Sequence, residues 1–262
     1  MPDAFYIPDG DGDRFISTEL TRGPWDPNSQ HAGPPAALIG RQVELHPGIS
    51  DGQVGRMTFD ILKPVPIAPL QVQVETLRPG RSVELLCATL LDDDGNELVR
   101  ATAWRLRTQD VDLPPDLPRS PAPPPPARGE PKDFFPTGQD VGYHTAMEYR
   151  FVSGSFLDPG PATVWMRMRH PLIEGEDPSP LTRVLIAADT GNGISAVLDF
   201  RRYVFINVDL TVHLHRLPHG EWVCLDAVTT PEPNGIGIAD AALHDEEGPI
   251  GRAVQTLLVG ER

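Results

Sequence analysis

The sequence predicts an α+β protein made of two tandem copies of one unit, in which an antiparallel sheet wraps around a long helix. Three observations predict this fold class. Each half of the chain carries one run with helical spacing and several strand-like runs. A proline-rich segment separates the halves. Motifs in the two halves correspond at one constant offset.

Composition excludes several classes of partner. The chain has 262 residues, with 22 Lys and Arg against 37 Asp and Glu, and a formal net charge of −15. Nucleic acid and anionic membranes attract positive surfaces, so neither is an expected partner. Neither a signal peptide nor a membrane span is expected, since no apolar run approaches about 18 residues. Cys87 and Cys224 lie in apolar strand-like runs and are expected to be buried thiols rather than a disulfide, which favours a cytoplasmic location.

The first half, residues 1–108, is expected to form one domain. Residues 36–45 have apolar side chains at helical spacing and predict a helix, and the prolines and glycines before them predict an irregular loop. Strands are predicted at residues 15–20, 52–62, 70–77, 82–91 and 97–107.

Residues 109–136 change the character of the chain. Residues 112–136 contain ten prolines in 25 positions, and proline lacks the N–H that helix and sheet interiors require. The segment is therefore predicted to be an extended linker, in preference to a docking site for a partner.

The second half, residues 137–262, is expected to be a domain that repeats the first. Ser179 suits a helix N-cap and Pro180 the first helical position, so a long helix is predicted over residues 179–199. Two glycines within it, at 191 and 193, indicate either close backbone approach or a helix break. Strands are predicted at residues 141–156, 162–169, 203–216, 221–229, 237–244 and 251–259.

Matching motifs indicate a tandem duplication. The run LKPVP ends at Pro66 and LHRLP ends at Pro218, and 218 − 66 = 152. Arg100 and Arg252 each precede an alanine in the last strand of a half, and 252 − 100 = 152. One offset that serves both strand pairs is typical of an internal repeat. At this offset, three polar residues of the second half face small residues of the first: Asp189 faces Ala37, Asn207 faces Gly55 and Gln255 faces Ala103.

Asp189 allows two interpretations. It lies in an apolar helical run, where a carboxylate must be paired or have its pKa raised. It is either a general base in a lined pocket or an acid at the edge of the apolar face that points to water. Gln255 shares a strand face with apolar residues, so its amide is expected to be buried and paired, either in the pocket or with backbone.

The predicted orientation of Asn207 conflicts with a site that it shares with Asp189 and Gln255. Residues 203–215 alternate, with Ile206 and Val208 on the apolar face and Asn207 on the polar face. If the apolar face covers the helix, Asn207 points away from Asp189. It then reaches the site only near a bulge, a strand end or the seam between the halves.

Metal sites are not expected. His213 and His215 share a strand face and His219 lies nearby, but zinc needs at least a third ligand at a fixed spacing. Surface or seam positions are the alternative for these histidines. The acidic run over residues 9–13 lacks the downstream Glu of a calcium loop and predicts a turn.

Several motifs, taken in order, resemble the bacterial acyl-CoA thioesterase II family. They are VETLRPGRS from Val74, AADTGNG from Ala187, INVDLTVHLHRLPHGEW from Ile206 and GRAVQTLLV from Gly251. The resemblance covers both halves but not the linker. It implies a tandem double hotdog, with two antiparallel sheets each wrapped around a long helix.

The resemblance also implies a reaction and a site. The family hydrolyses acyl-CoA to free acid and coenzyme A without a cofactor, which suggests fatty acid metabolism, and an Asp, a Thr and a Gln hold the attacking water. The Asp falls on Asp189 and the Gln on Gln255, whereas the Thr position falls on Asn207, whose amide can also hold a water. His31 and Gly33 are candidate substrate-binding residues near the pocket mouth, and a structural bond in a loop is an equal alternative for His31.

Two other functions stay open. An enoyl-CoA hydratase of the same fold would need an Asp and a His close together, and no such pair is apparent in the matching halves. A non-catalytic acyl-CoA binding module is favoured by Asn207 at the Thr position. The sequence also leaves the oligomeric state open, a homo-oligomer included.

Overall fold

In its described residues, the first half has one α-helix, six strands and the short 3-10 helix Glu19–Thr21. The computed structural model describes residues 3–10, 12–118 and 120–262, so parts of the predicted turn (residue 11), first domain (residues 1, 2 and 11) and linker (residue 119) lie outside it. The elements of this half are β1 (Tyr6–Pro8), β2 (Arg14–Ser17), α1 (Gly33–Leu45), β3 (Gly52–Ile61), β4 (Pro69–Arg78), β5 (Val83–Asp92) and β6 (Glu97–Arg107).

The second half has a similar order, with shorter helices. Its elements are α2 (Tyr143–Ala146), β7 (Met147–Ser153), β8 (Ala162–Met168), α3 (Pro180–Ala188), α4 (Gly191–Ile194), β9 (Tyr203–Asn207), β10 (Asp209–Leu214), β11 (Val223–Pro231), β12 (Ile236–Asp245) and β13 (Gly248–Glu261).

The described strands form one 13-stranded sheet, so the prediction of two separate sheets is wrong. The strand order is β1-β2-β4-β5-β6-β3-β10-β13-β12-β11-β8-β7, and β9 pairs with β13. Antiparallel pairing of β3 with β10 joins the halves. Each half would otherwise end in a strand edge with unpaired N–H and C=O groups, and the two edges satisfy each other.

The strand order is the same from either edge of the sheet. β4, β5, β6 and β3 of the first half hold the positions that β11, β12, β13 and β10 hold in the second. At the seam, Phe59 lies opposite Leu210 and Thr58 opposite Thr211. By the offset of 152, Phe59 corresponds to Thr211 and Thr58 to Leu210, since 59 + 152 = 211 and 58 + 152 = 210. Each pair at the seam is therefore the repeat equivalent of the other. The sheet therefore has an internal two-fold relation that agrees with the duplication.

The helix predicted over residues 179–199 is shorter and broken. α3 ends at Ala188, and α4 adds only four residues. Ser179 caps α3 as predicted, because its Oγ accepts the Thr182 N–H at 3.1 Å. Neither glycine marks a close backbone approach: a Cβ on Gly193 would meet no atom within 4 Å, and one on Gly191 would lie 3.4 Å from Gln255 Oε1, an ordinary contact.

The two longer helices pack against each other in the core. α1 begins at Gly33, three residues before the prediction, because prolines at positions 34 and 35 are tolerated in the first turn of a helix. A Cβ on Gly40 would lie 2.2 Å from Leu185 Cδ1 of α3. The close contact places the N-terminus of α1 beside the C-terminus of α3, and both halves share one core.

The predicted linker contacts the second half. Within residues 109–118 and 120–136, the structure has one helical turn, the 3-10 helix Pro126–Arg128. Trp165 Nε1 donates to the Pro124 carbonyl at 2.7 Å. The later part of the segment is therefore packed rather than free.

The described residues include no helix long and apolar enough to cross a membrane. Cys87 and Cys224 are free thiols, as predicted, but only Cys224 is buried and Cys87 is half-buried.

Candidate active site

Asp189 lies where α3 ends. It is the C-cap residue of that helix, and only 7% of its surface is exposed. The alternative in which this carboxylate points to water is therefore wrong. Because burial removes the carboxylate from water, its hydrogen-bond partners determine whether it can carry a charge.

Two amide side chains from the sheet bind one oxygen of this carboxylate. Gln255 Nε2, on β13, and Asn207 Nδ2, at the end of β9, each donate to Asp189 Oδ1 at 2.9 Å. Gln255 is 2% exposed, and its Oε1 accepts the backbone N–H of Asn192 at 3.1 Å. The three side chains meet at one point, and their catalytic roles stay a prediction.

Asn207 reaches Asp189 because its strand is interrupted. Asn207 of β9 lies opposite Leu257, and Thr211 of β10 lies opposite Val254. In an antiparallel pair, the residue numbers of opposite residues have a constant sum. This sum is 464 for β9 with β13 and 465 for β10 with β13, so the register against β13 shifts by one residue between β9 and β10. Such a shift reverses which side chains face inward.

The exposure of neighbouring side chains confirms this reversal. Ile206 and Val208, predicted to lie on the inner face, are 45% and 46% exposed, whereas Phe205 is 7% exposed. The prediction of a clean alternation through residues 203–215 is wrong. A bulge, a strand end and the seam were the three positions from which Asn207 could reach the site. The structure places Asn207 at a strand end, because it is the last residue of β9.

The other carboxylate oxygen faces the first half of the chain. His31 Nδ1 lies 3.1 Å from Asp189 Oδ2, and the backbone N–H groups of Ala32 and Gly33 face this carboxylate and favour its ionised form. The Gly33 N–H lies 3.1 Å from His31 Nδ1 as well. The structure thus brings an Asp and a His together, although no such pair is apparent in the matching halves of the sequence.

Gly33 makes this approach possible. A Cβ at position 33 would lie 2.3 Å from the Ile186 carbonyl oxygen of α3, which is closer than any side chain tolerates. The N-terminus of α1 can therefore reach Asp189 only with glycine at its first residue.

Tyr143 belongs to the site, although sequence reasoning missed it. Its ring stacks on that of His31, with centroids 3.8 Å apart. Its hydroxyl donates to the Ile186 carbonyl at 2.7 Å and lies 2.8 Å from Thr190 Oγ1. Residues 141–156 were predicted as one strand, whereas Tyr143 begins the short helix α2. No motif or spacing around it carries a signal of this role.

Burial controls the protonation of the site. It raises the pKa of Asp189 to about 7, although hydrogen bonds from Asn207, Gln255 and backbone N–H groups oppose the rise. Burial also lowers the pKa of His31 to about 3. The imidazole is therefore neutral at physiological pH, and its contact with Asp189 is a hydrogen bond rather than an ion pair.

The clustered histidines near β10 have other partners. His215 Nε2 lies 3.0 Å from the Pro249 carbonyl oxygen, and His219 Nδ1 lies 2.8 Å from a Glu247 carboxylate oxygen. Among the residues that the structure describes, no group of three His, Cys, Asp or Glu side chains is placed to hold a metal ion.

Family comparison identifies this chain. Residues 21–106 match the acyl-CoA thioesterase N-terminal domain, and residues 114–259 match the acyl-CoA thioesterase C-terminal domain. The chain belongs to the acyl-CoA thioesterase family. The thioesterase is thus an enzyme, and the resemblance of its motifs is confirmed. No curated protein sequence matches it significantly.

Solved structures share the fold of this thioesterase. A Thermobifida fusca YX protein assigned as a thioesterase II is 16% identical, with a TM-score of 0.76 over 97% of this chain and 95% of that one. A hot dog fold protein of unknown function from Alicyclobacillus acidocaldarius is 18% identical, with a TM-score of 0.74 over 97% and 95%. An acyl-CoA thioesterase II from Mycobacterium marinum is 16% identical, with a TM-score of 0.64 over 89% and 90%. These similarities show a hotdog fold.

Proposed function

We propose that this thioesterase hydrolyses an acyl-CoA with a water molecule that Asp189 activates. The observation that carries the proposal is the pairing of Asp189 Oδ1 with both Asn207 and Gln255 at 2.9 Å. It sets a buried carboxylate, whose pKa is about 7, between two neutral amides. A general base is most effective when its pKa lies near the working pH.

The attacking water has a binding position beside Asn207. The Nδ2 of this residue donates to Asp189 and to the Asp209 carbonyl, and its Oδ1 can accept a hydrogen bond from water. The water oxygen attacks the thioester carbonyl carbon while one water proton passes to Asp189. The C–S bond then breaks, the proton goes to the sulfur of coenzyme A, and the free acid leaves.

Backbone amides of the first half would stabilise the developing oxyanion. The N–H groups of Ala32 and Gly33 lie at the start of the 13-residue helix α1 and already face Asp189. A helix N-terminus carries partial positive charge, and one well-placed donor contributes about 3–4 kcal/mol to oxyanion binding. Gly33 and His31 would then bind the substrate from the side opposite Gln255.

The proposed domain organisation has residues 1–108 and 137–262 as two hotdog domains joined by residues 109–136. The strand order, which is the same from either edge, supports it. All proposed site residues lie on one chain, so the mechanism requires no homo-oligomer. The free thiols of Cys87 and Cys224 favour a cytoplasmic enzyme, and fatty acyl-CoA substrates would place it in fatty acid metabolism.

Thiol release from a panel of acyl-CoAs tests the mechanism. Asp189→Asn keeps the side-chain shape and removes the base, so kcat should fall at least about 100-fold. Asp60→Asn, which changes an exposed carboxylate on β3, is the matched control and should keep the wild-type rate. Unchanged turnover in Asp189→Asn would eliminate Asp189 as the base. Tight acyl-CoA binding by wild type without any turnover would support the binding-module alternative.

Hydration of an enoyl-CoA is the second candidate function. The Asp–His pair that it requires is present, since Asp189 Oδ2 and His31 Nδ1 are 3.1 Å apart. Crotonyl-CoA separates the two reactions, because hydration removes the enoyl absorbance without releasing thiol and hydrolysis releases thiol. Loss of the enoyl absorbance without thiol release would show hydration and reject the hydrolytic mechanism.

A further inference from the structure

An apolar slot opens at the end of β9. Its volume is about 190 Å³. One wall is Trp25, from the loop before α1, and the others come from β9 and the C-terminus. The lining residues are Trp25, Tyr203, Val204, Phe205, Ile206 and Arg262.

The strand wall of the slot leads to the proposed catalytic residues. Phe205 and Asn207 are two residues apart on β9, about 7 Å along the strand, and the register shift turns both away from solvent. The Phe205 carbonyl accepts Asn192 Nδ2 at 3.1 Å. The Asn192 N–H in turn donates to Gln255 at 3.1 Å. A chain of hydrogen bonds through Asn192 and Gln255 therefore connects the strand that lines the slot to the Asp189 carboxylate.

The other wall of the slot, Trp25, belongs to the loop of the first half that also carries His31. Trp25 lies six positions before His31 in the chain, and its ring stacks on Phe135 with centroids 5.4 Å apart. Its ring also meets Phe205 edge-on, with centroids 6.3 Å apart. Although these contacts fix it, Trp25 is 49% exposed, and an exposed, rigidly held aromatic side chain is typical of a ligand-binding surface.

We propose that this slot binds the acyl group of the substrate and selects acyl-CoAs that end in one aromatic ring or a chain of about six carbons. The proposal rests on the proposed function and names its substrate class. An apolar cavity of roughly 150 Å³ holds one benzene ring, whereas sites for larger ligands measure roughly 300–1,000 Å³. A slot of about 190 Å³ therefore suits one ring and is too small for a long fatty acyl chain.

Larger cavities do not serve this purpose. One of about 680 Å³ lies between Pro47 and Arg107 in the first half. Another of about 410 Å³ is lined by charged side chains of both signs, among them Arg167 and Glu221. Neither of these, nor the cavities of about 290 and 430 Å³, includes a residue of β9, the strand that carries Asn207, and none of the four is lined by Phe, Tyr or Trp.

Filling the slot tests the proposal. Val204→Trp places a large ring in the space that the acyl group would occupy. We expect kcat/KM for phenylacetyl-CoA and hexanoyl-CoA to fall at least tenfold, with acetyl-CoA changed less than twofold because an acetyl group does not reach the slot. Trp25→Ala should produce the same selective loss. Trp222→Ala is its control, because that ring lies against Arg167, 4.7 Å away, outside the slot.

Binding to Asp189→Asn separates this proposal from the mechanism. Calorimetry with this variant should give phenylacetyl-CoA an affinity at least tenfold above that of acetyl-CoA, and Trp25→Ala in the same background should abolish the difference. This result without turnover in wild type would keep the slot and reject the hydrolytic mechanism. Equal kcat/KM for palmitoyl-CoA and hexanoyl-CoA, or an unchanged preference in both slot variants, would overturn the slot and leave the mechanism standing.

Discussion

The carboxylate of Asp189 and the imidazole of His31 belong to opposite halves of the chain, yet Oδ2 and Nδ1 lie 3.1 Å apart. The Gly33 N–H donates to the same Nδ1, so this nitrogen accepts when the ring carries its proton on Nε2. A protonated Asp189 Oδ2 can then donate a hydrogen bond to His31 Nδ1. When Asp189 ionises, the neutral ring can donate from Nδ1 as its other tautomer.

Turnover should increase with pH up to about 7 and then level off. A general base must be ionised, and burial raises the pKa of Asp189 to about 7. The measurement is kcat/KM for one acyl-CoA between pH 5 and 9. A profile that is flat across this range would contradict the assignment of Asp189 as the base.

Stability should fall as the pH rises towards 7. An unfolded Asp has a pKa of about 3.9, whereas the folded pKa of Asp189 is about 7. The folded protein therefore holds one extra proton between these values, and the resulting stabilisation is lost across this window at about 1.4 kcal/mol per pH unit. Urea unfolding at pH 4.5 and 7.5 measures it. Asp189→Asn should show a smaller pH dependence, and equal curves for both proteins would refute the expectation.

Gly33→Ala should destabilise the protein by about 1–3 kcal/mol, as overpacking does, and lower turnover at least tenfold. The added Cβ would lie 2.3 Å from the Ile186 carbonyl and push α1 away from Asp189. Gly193→Ala is the control, since its Cβ meets no atom within 4 Å and should be neutral or stabilising by up to about 1 kcal/mol. Thermal unfolding and kcat of both variants provide the comparison. Similar behaviour of the two would show that the approach of α1 is not critical.

Asn207→Thr should keep turnover within about tenfold of wild type, because a hydroxyl can also donate to Asp189 Oδ1 and hold a water. Asn207→Leu has a similar volume and no hydrogen-bonding group, so its kcat should fall about 100-fold or more. Comparing kcat of the two variants decides the point. Equal losses would indicate that the planar amide itself is needed.

The order of strands was predictable because apolar periodicity is a local property of the sequence. The interruption after Asn207 was not, since INVDLTV alternates without a gap. In the structure the Asp209 carboxylate accepts the Thr256 N–H, a donor that would otherwise bind the strand backbone. A charged side chain inside a strand pattern, Asp209, was the available signal for this interruption.

The meeting of the two halves could not be predicted from either half. His31 and Asp189 are 158 positions apart, since 189 − 31 = 158. Their contact depends on how α1 docks on α3, which is set by close packing at Gly33 and Gly40. Periodicity identifies the helices but carries no information on their separation. Tyr143 was missed for the same reason, because its partners come from two distant segments, one at His31 and the other at residues 186–190.

The seam strands β3 and β10 belong to the same polypeptide, and this has a kinetic consequence. His31 and Gly33 on one side, and Asp189 and Gln255 on the other, are tethered on one polypeptide, so formation of the site is a first-order event. Its population depends on an effective local concentration rather than on the amount of protein in solution. The proposed site therefore stays assembled at any dilution, as a site shared between two separate chains would not.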